Sequence, residues 1–355
     1  MVSFTNRIIR LILFALILLS SVGVYASEAG VIFLLIEPGS RGNAMGNAHV
    51  AQVDCGFAGF WNPGAMAFNR NNQFAFMHSN WLGEIVDDIY YEYLSWNNYF
   101  PNLGGNLGFS VVFFHLGEME RRDEQGNFLG TFSSYEIAAA ASYAYQHSDN
   151  LGLGITFKFI LSDLAPSGQG AQESSQKGRG VSFAFDLGLK RKNLLINRLD
   201  FGMNLQNIGP DITYIDDEQA DPLPMNLRMG FSYRLIESEY NQFTVNADMN
   251  KLFANRDHWV LERLVKGWYD HGGFLSKRQI DSTIFGVGAE FVYWNLLALR
   301  AGYNYDKIGN IIGPSFGGGI QYTFAGRFRA NIDFAMQQGG ELVDYNRTIT
   351  LGLEF

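Results

Sequence analysis

Six histidines, a single cysteine and 35 acidic residues are the side chains in this 355-residue chain that could hold a metal or move a proton. His49, His78, His115, His147, His258 and His271 fall in separate stretches, and only His258 and His271 share one. A metal centre needs several donors converging on one point, so this scatter argues against one. Asp216, Asp217, Glu218 and Asp221 could gather calcium, but they lack the regular ligand spacing of a calcium loop. A solvated outer loop, or weak contact with lipopolysaccharide through divalent ions, fits them better. Cys55 is alone, which excludes an intrachain disulfide and a cysteine-based zinc site. Gly286-x-Gly288 and Gly317-Gly318-Gly319 sit in strand-like patterns with no helix following, so no phosphate cradle forms. The expectation is a protein that is not an enzyme and takes no cofactor.

The elements that carry these residues are strands. From about Phe74 to Phe355, apolar and polar residues alternate with period 2, as in Leu151, Leu153, Ile155, Phe157, Phe159 and Leu161 against Gly152, Gly154, Thr156, Lys158 and Ser162. About fourteen such strands are predicted, near 72–79, 87–97, 105–118, 132–147, 151–162, 179–191, 198–208, 224–236, 241–251, 282–294, 296–306, 314–324, 327–338 and 345–355, with ends uncertain by about 2–4 residues. A soluble sandwich would show the same alternation, so the connections must decide. Links after odd strands run roughly 6 to 30 residues and those after even strands roughly 1 to 7, the asymmetry of an outer-membrane barrel. Prolines agree: Pro38, Pro63, Pro101, Pro166, Pro210 and Pro222 fall outside the predicted strands, and Pro224 and Pro314 open theirs. The fold expected is all-β, a fourteen-stranded antiparallel transmembrane barrel with its apolar face toward lipid.

Arg7 and Arg10 precede the apolar run Leu11 to Val24, and Val24-Tyr25-Ala26 supplies the small residues of a cleavage site. Residues 1–26 are therefore expected to be a signal peptide, and the protein to lie in the outer membrane of a Gram-negative-type bacterium. The formal charge is −9, and cleavage removes two further cations, which argues against nucleic acid as a partner.

The lumen-facing register carries Lys158, Lys190, Arg228, Arg234, Arg300 and Arg329 with Glu92, Asp186, Asp200, Asp248, Glu290 and Asp333. Mixed charges of this kind favour pairing across the lumen over a wide pore of one sign. Gly152, Gly154, Gly188, Gly202, Gly286 and Gly288 share that face and leave room for something to pack inside. Residues 27–71, rich in Gly, Ala and Asn in the stretch Glu37 to Asn69 and free of alternation, are the expected plug; 72–355 form the barrel.

Within that plug, Phe33-Leu34-Leu35-Ile36, the run Arg41-Gly42-Asn43-Ala44-Met45-Gly46-Asn47-Ala48, and Trp61-Asn62-Pro63-Gly64-Ala65-Met66-Ala67 resemble the N-terminal signature of the PorV/PorQ family, closer to PorV. That family belongs to the barrels related to the FadL fatty-acid transporter. Gly130-Thr131-Phe132, Ser162-Asp163-Leu164-Ala165 and Leu299-Arg300-Ala301-Gly302-Tyr303 extend the resemblance over the mature chain. Gly64 departs from it, since alanine usually follows Asn-Pro; in a turn this is expected to be mild. The resemblance implies a luminal hatch, with Arg41, Gly42, Met45, Gly46, Trp61, Asn62 and Pro63 as its structural motif. It also implies a non-enzymatic role in type IX secretion. PorV-like barrels collect cargo with C-terminal signal domains from the translocon and deliver it to a surface attachment complex with a sortase-like partner; PorQ-like barrels anchor another component of that complex. Uptake of hydrophobic molecules and purely structural anchoring are alternatives that the same fold supports.

Two more features point to partners. The ending Leu351, Leu353, Phe355 resembles the C-terminal signal read by the barrel-assembly machinery. The longest outward link, Leu252 to Asp281, is roughly 30 residues and has helical spacing at Trp259, Val260, Leu264 and Val265, with Trp268, Tyr269 and Phe274 beyond. Aromatics on an outer loop mark a contact with cargo or a complex partner, or else a lid over the barrel's own mouth.

Overall fold

Alternation over fourteen segments leaves each strand with one greasy and one polar face, and closing the sheet satisfies every edge. In the computed structural model, which describes residues 29–355 apart from 84, 124, 166–177, 215–219, 257, 270–276 and 342, this is the outcome. The strands are β1 (Gln73–Asn80), β2 (Ile89–Phe100), β3 (Gly105–Arg122), β4 (Phe128–Ser148), β5 (Leu151–Ala165), β6 (Gly178–Arg191) and β7 (Leu199–Ile208). They continue as β8 (Met225–Glu237), β9 (Asn241–Phe253), β10 (Thr283–Tyr293), β11 (Leu297–Asp306), β12 (Ile311–Phe324), β13 (Phe328–Gln338) and β14 (Tyr345–Glu354). Each pairs antiparallel with its sequence neighbours, and β1 closes on β14 with Phe74 opposite Leu353 and His78 opposite Ile349. The predicted signal peptide lies outside the described residues.

The alternation resolves as lipid-facing and lumen-facing rows. Phe157, Phe159, Phe183 and Leu187 are exposed, whereas Lys158, Asp186, Lys190, Arg228, Asp248, Glu290, Arg300 and Asp333 are buried inside. Arg329 lines the lumen as expected, at the open periplasmic end of the cavity, where it is nearly half exposed and bonds Gln321. Glu92 departs from the expected lining: it shares the outward face of β2 with Tyr90 and Leu94, beside His78, because Tyr91, Tyr93 and Ser95 take the lumen-facing register.

Three further sequence expectations change. β3 and β4 run further outward than predicted. Their ladder crosses a register shift between His115 and Glu118, where Gly117 takes a φ of +86° against the Asp88 carboxylate. Pro314 lies inside β12 rather than opening it. It pairs only with Tyr303 of β11, and the β12–β13 ladder begins one residue later, at Ser315, so the missing N–H costs that ladder nothing. Finally, the luminal charges do not pair across an open lumen. Lys158 meets Asp186 of the adjacent strand at 2.8 Å, and Arg228 meets Glu37 of the plug at 2.9 Å. The lumen is filled, so each charge finds its partner at close range.

The filling is the segment before β1. It contains a 3-10 turn (Ile32–Leu35) and the short helices α1 (Ser40–Asn43), α2 (Ala58–Trp61) and α3 (Pro63–Met66). Gly30 N–H donates to the Pro222 carbonyl in the β7–β8 link, so the segment begins at the outer mouth. Val31, Phe33 and Leu34 then join Tyr91, Tyr93, Phe114, Ile160, Ile212 and Leu223 in the buried apolar core. From there the chain descends through the lumen to the periplasmic start of β1.

Candidate functional site

The plug motif sits in two glycine-paved recesses of the wall, and glycine is required because backbone meets backbone there. A Cβ on Gly288 would lie 2.4 Å from the Met45 Cβ, and one on Gly302 would lie 2.2 Å from the Met45 carbonyl carbon. Gly46, at φ +64°, would drive a Cβ to 2.5 Å from the Tyr303 carbonyl oxygen; its own N–H donates to Ser315 Oγ at 2.8 Å. On the other side of the lumen, a Cβ on Gly154 or Gly188 would strike Pro63 at 2.3 Å or 2.6 Å. Gly64 completes this second recess, since its Cβ would fall 2.8 Å from the Gly188 carbonyl oxygen. The departure from alanine is therefore matched to the wall rather than neutral.

Polar side chains hold the plug in these recesses. Arg41 donates to both carboxylate oxygens of Glu290, at 2.7 and 2.8 Å, and pairs with Asp54. Glu290 also receives Arg300, which reaches past β12 to Asp333; a Cβ on Gly319 would leave no room for the Asp333 carboxylate. Asn62 caps α3 by accepting from Gly64 N–H at 3.0 Å, and its amide donates to the carbonyls of Leu189 and Val50. Pro63 follows at the first helical position, where no N–H is needed. The Trp61 indole N–H donates to the Pro38 carbonyl, Gly42 leaves space for the ring, and the Arg228 guanidinium lies 4.6 Å from its centroid.

His49 is the buried histidine of the plug, 1% exposed and edge-on to Trp61 with ring centroids 5.3 Å apart. Burial and then the Arg41 charge push its imidazole down to about 3, so it is neutral at physiological pH. The backbone N–H groups of His49 and Val50 both donate to Asp248 of β9, at 2.7 and 2.8 Å. Below this anchor the lumen opens toward the periplasm as a cavity of about 460 Å³, lined among others by Arg41, Asp54, Glu290 and Glu354.

At the outer mouth, the predicted loop contains α4 (Val260–Lys266) and α5 (Lys277–Asp281). Arg263 is buried and forms a two-pronged bond with Asp211 of the β7–β8 link at 2.8 and 3.0 Å, which pins α4 to the rim. Trp268 packs against Phe253, with centroids 5.6 Å apart, and Leu264 is half-buried. Trp259, Leu261, Val265 and Tyr269 instead face solvent. The loop thus divides the two roles weighed for it, its inner side covering the rim and its outer side exposed. Phe274 and His271 lie outside the described residues, as do Asp216, Asp217 and Glu218; Asp221 pairs with Arg256. At the opposite end, Leu351 and Leu353 face lipid, and Phe355 stacks on Phe74 with centroids 6.1 Å apart.

Sequence reasoning missed several anchors. Asn204 and Gln206 bond the Phe60 carbonyl at 2.9 and 2.8 Å, and Thr350 accepts from Ser40 N–H at 2.9 Å. Their signal was present as amides and hydroxyls in the lumen-facing register, but nothing in a strand pattern says which of them meets the plug.

Among known proteins, the model of the family described as "Type IX secretion system protein PorV" matches residues 24–257, well over half of the chain. No curated protein sequence matches. Of solved structures, the toluene transporter TbuX of Ralstonia pickettii aligns with a TM-score of 0.56 at 13% identity, over 91% of this chain and 99% of that one. The Pseudomonas putida toluene transporter TodX aligns with a TM-score of 0.51 at 15% identity, over 89% and 96% respectively. Likeness at such low identity shows a shared fold, the FadL-like outer-membrane barrel, and no shared ligand. The family match spans the plug motif and β1 to β9, and with it the chain belongs to the PorV family of type IX secretion system proteins, a family of non-enzymatic barrels.

Proposed function

We propose that this barrel works from its outer mouth, receiving secreted cargo with a C-terminal signal domain and passing it to a surface attachment complex. Family membership supports a place in type IX secretion. The observation that carries the finer reading is the outer face of α4. Leu261 and Val265 lie four residues apart on one face of α4, Tyr269 follows in the turn beyond it, and all three are more than half exposed beside Trp259. Apolar side chains on a rim pinned by Arg263 offer a partner a preformed surface at little ordering cost.

Uptake of hydrophobic molecules is the other reading, and the toluene transporters invite it by their titles. The plug weighs against it. Passage needs a lumen that opens, whereas Met45 to Ala48 and Asn62 to Gly64 lie backbone to backbone on the wall.

Pull-down from detergent-solubilised membranes tests the proposal. The wild-type barrel should recover signal-domain proteins, and the double substitution Leu261→Asp with Val265→Asp should recover about tenfold less while the barrel itself stays folded. Recovery of bound lipid alone, or equal cargo recovery by both forms, would sink it.

A further inference from the structure

Five of the six short turns on the periplasmic rim hold two to four residues; the β6–β7 turn, residues 192–198, holds seven. Its added length is not slack. Asn193, Leu195 and Arg198 all take left-handed φ values of +51°, +61° and +71°, although none is glycine. A fixed hydrogen-bond frame holds them there. Leu194 N–H donates to the Leu199 carbonyl, Asn193 N–H to Asp200, and Arg198 N–H to the Asn193 side chain. Left-handed backbone is disfavoured for a leucine, so such a turn persists only where its surroundings over-determine it.

What the turn achieves is projection. Leu195 is 92% exposed, more than any other large apolar residue described, and Ile196 beside it is 55% exposed. The turn caps strands whose lipid-facing rows are Phe183, Phe185 and Leu187 on β6 and Phe201 on β7. It also collects cations. Arg191 leads into it and Arg198, paired with Glu237 at 3.4 Å, leads out, while Lys192 turns inward onto the Phe68 ring of the plug, 3.9 Å from its centroid. An apolar tip flanked by Arg191 and Arg198, at the edge of a lipid-facing wall, has the composition of an interfacial anchor in an anionic leaflet.

We propose that the β6–β7 turn is a lipid-binding element, with Leu195 and Ile196 entering the acyl boundary of the periplasmic leaflet and Arg191 and Arg198 holding an anionic phospholipid headgroup. The occupant is lipid rather than a periplasmic protein because the apolar tip continues the lipid-facing rows directly, and because the side chains flanking it on either side, Arg191 and Arg198, are cationic.

Depth-dependent quenching decides the matter. The full chain carrying Leu195→Cys, labelled with a bimane fluorophore at that site, is reconstituted in vesicles whose phosphatidylglycerol or phosphatidylcholine bears bromine high on the acyl chains. Cys55→Ser in the same background keeps the label single. Brominated phosphatidylglycerol should quench at least twofold more than brominated phosphatidylcholine at equal mole fraction. Adding Arg191→Gln and Arg198→Gln should erase that difference while leaving quenching in place. No quenching by either lipid means a tip in water, available to a protein partner, and overturns the proposal. Equal quenching by both lipids in the parent protein overturns the headgroup assignment.

Discussion

Gly64 lies against the backbone of Gly188 and Gly152, and the pair of recesses it belongs to turns single atoms into consequences. Gly64→Ala places a methyl 2.8 Å from a wall carbonyl, so the plug must lift or the wall must bend. The expected cost is about 1–3 kcal/mol of plug stability, read as faster hydrogen exchange over residues 58–67. His49 gives a second prediction at this scale. Seated, its imidazole is held down to about 3; released, it returns to about 6.5 and takes up the proton that the seated form refuses. Seating is therefore at full strength above pH 6.5 and weakens as the pH falls toward 3, by about 1.4 kcal/mol per unit. Asp54, Glu290, Arg41 and Arg300 surround it electrostatically, so the histidine's share must be isolated by substitution. Protease protection of the plug should drop between pH 7.5 and pH 4.5, and His49→Phe should remove most of that drop.

At the scale of elements, the last strand closes the barrel. Phe355 N–H donates to the Asn72 carbonyl at 3.0 Å, and Asn72 N–H returns a bond to the Phe355 carbonyl at 2.8 Å, one step beyond the β1–β14 ladder. Deleting Phe355 removes this clasp, the stack on Phe74 and the terminal residue of the expected assembly signal. Folded barrel in the outer membrane should fall several-fold, measured as the heat-modifiable band on a gel; unchanged assembly would refute the role. The strands themselves were legible from period alone, because each crosses one uniform boundary between lipid and lumen. Pro314 and the outward growth of β3 and β4 were not, because strand ends depend on which neighbour is present to pair.

Taken whole, the molecule is a closed wall with its own N-terminal segment packed through it from outer to periplasmic mouth. Arg41, Glu290, Arg300 and Asp333 form one chain of alternating charge that ties that segment to β10, β11 and β13. Removing one member leaves a buried charge without its partner, which costs about 3–5 kcal/mol. In planar bilayers the wild type should conduct little, and Glu290→Gln should show flickering ion conductance as the plug loosens. A variant as silent as the wild type would mean that the glycine recesses alone hold the seal.

The amino-acid order by itself determined the barrel, its strand count, the outward apolar face and the presence of a plug. These follow from local rules, namely period 2, proline exclusion and the asymmetry of link lengths, which act over a few residues at a time. Only the tertiary structure decided what each luminal residue meets. Gly288 and Gly302 could have been bulges, Asp248 could have faced another strand, and Leu195 could have been an ordinary turn residue. Their roles depend on segments about 200 or more residues away in sequence, or on a backbone geometry that no periodicity encodes.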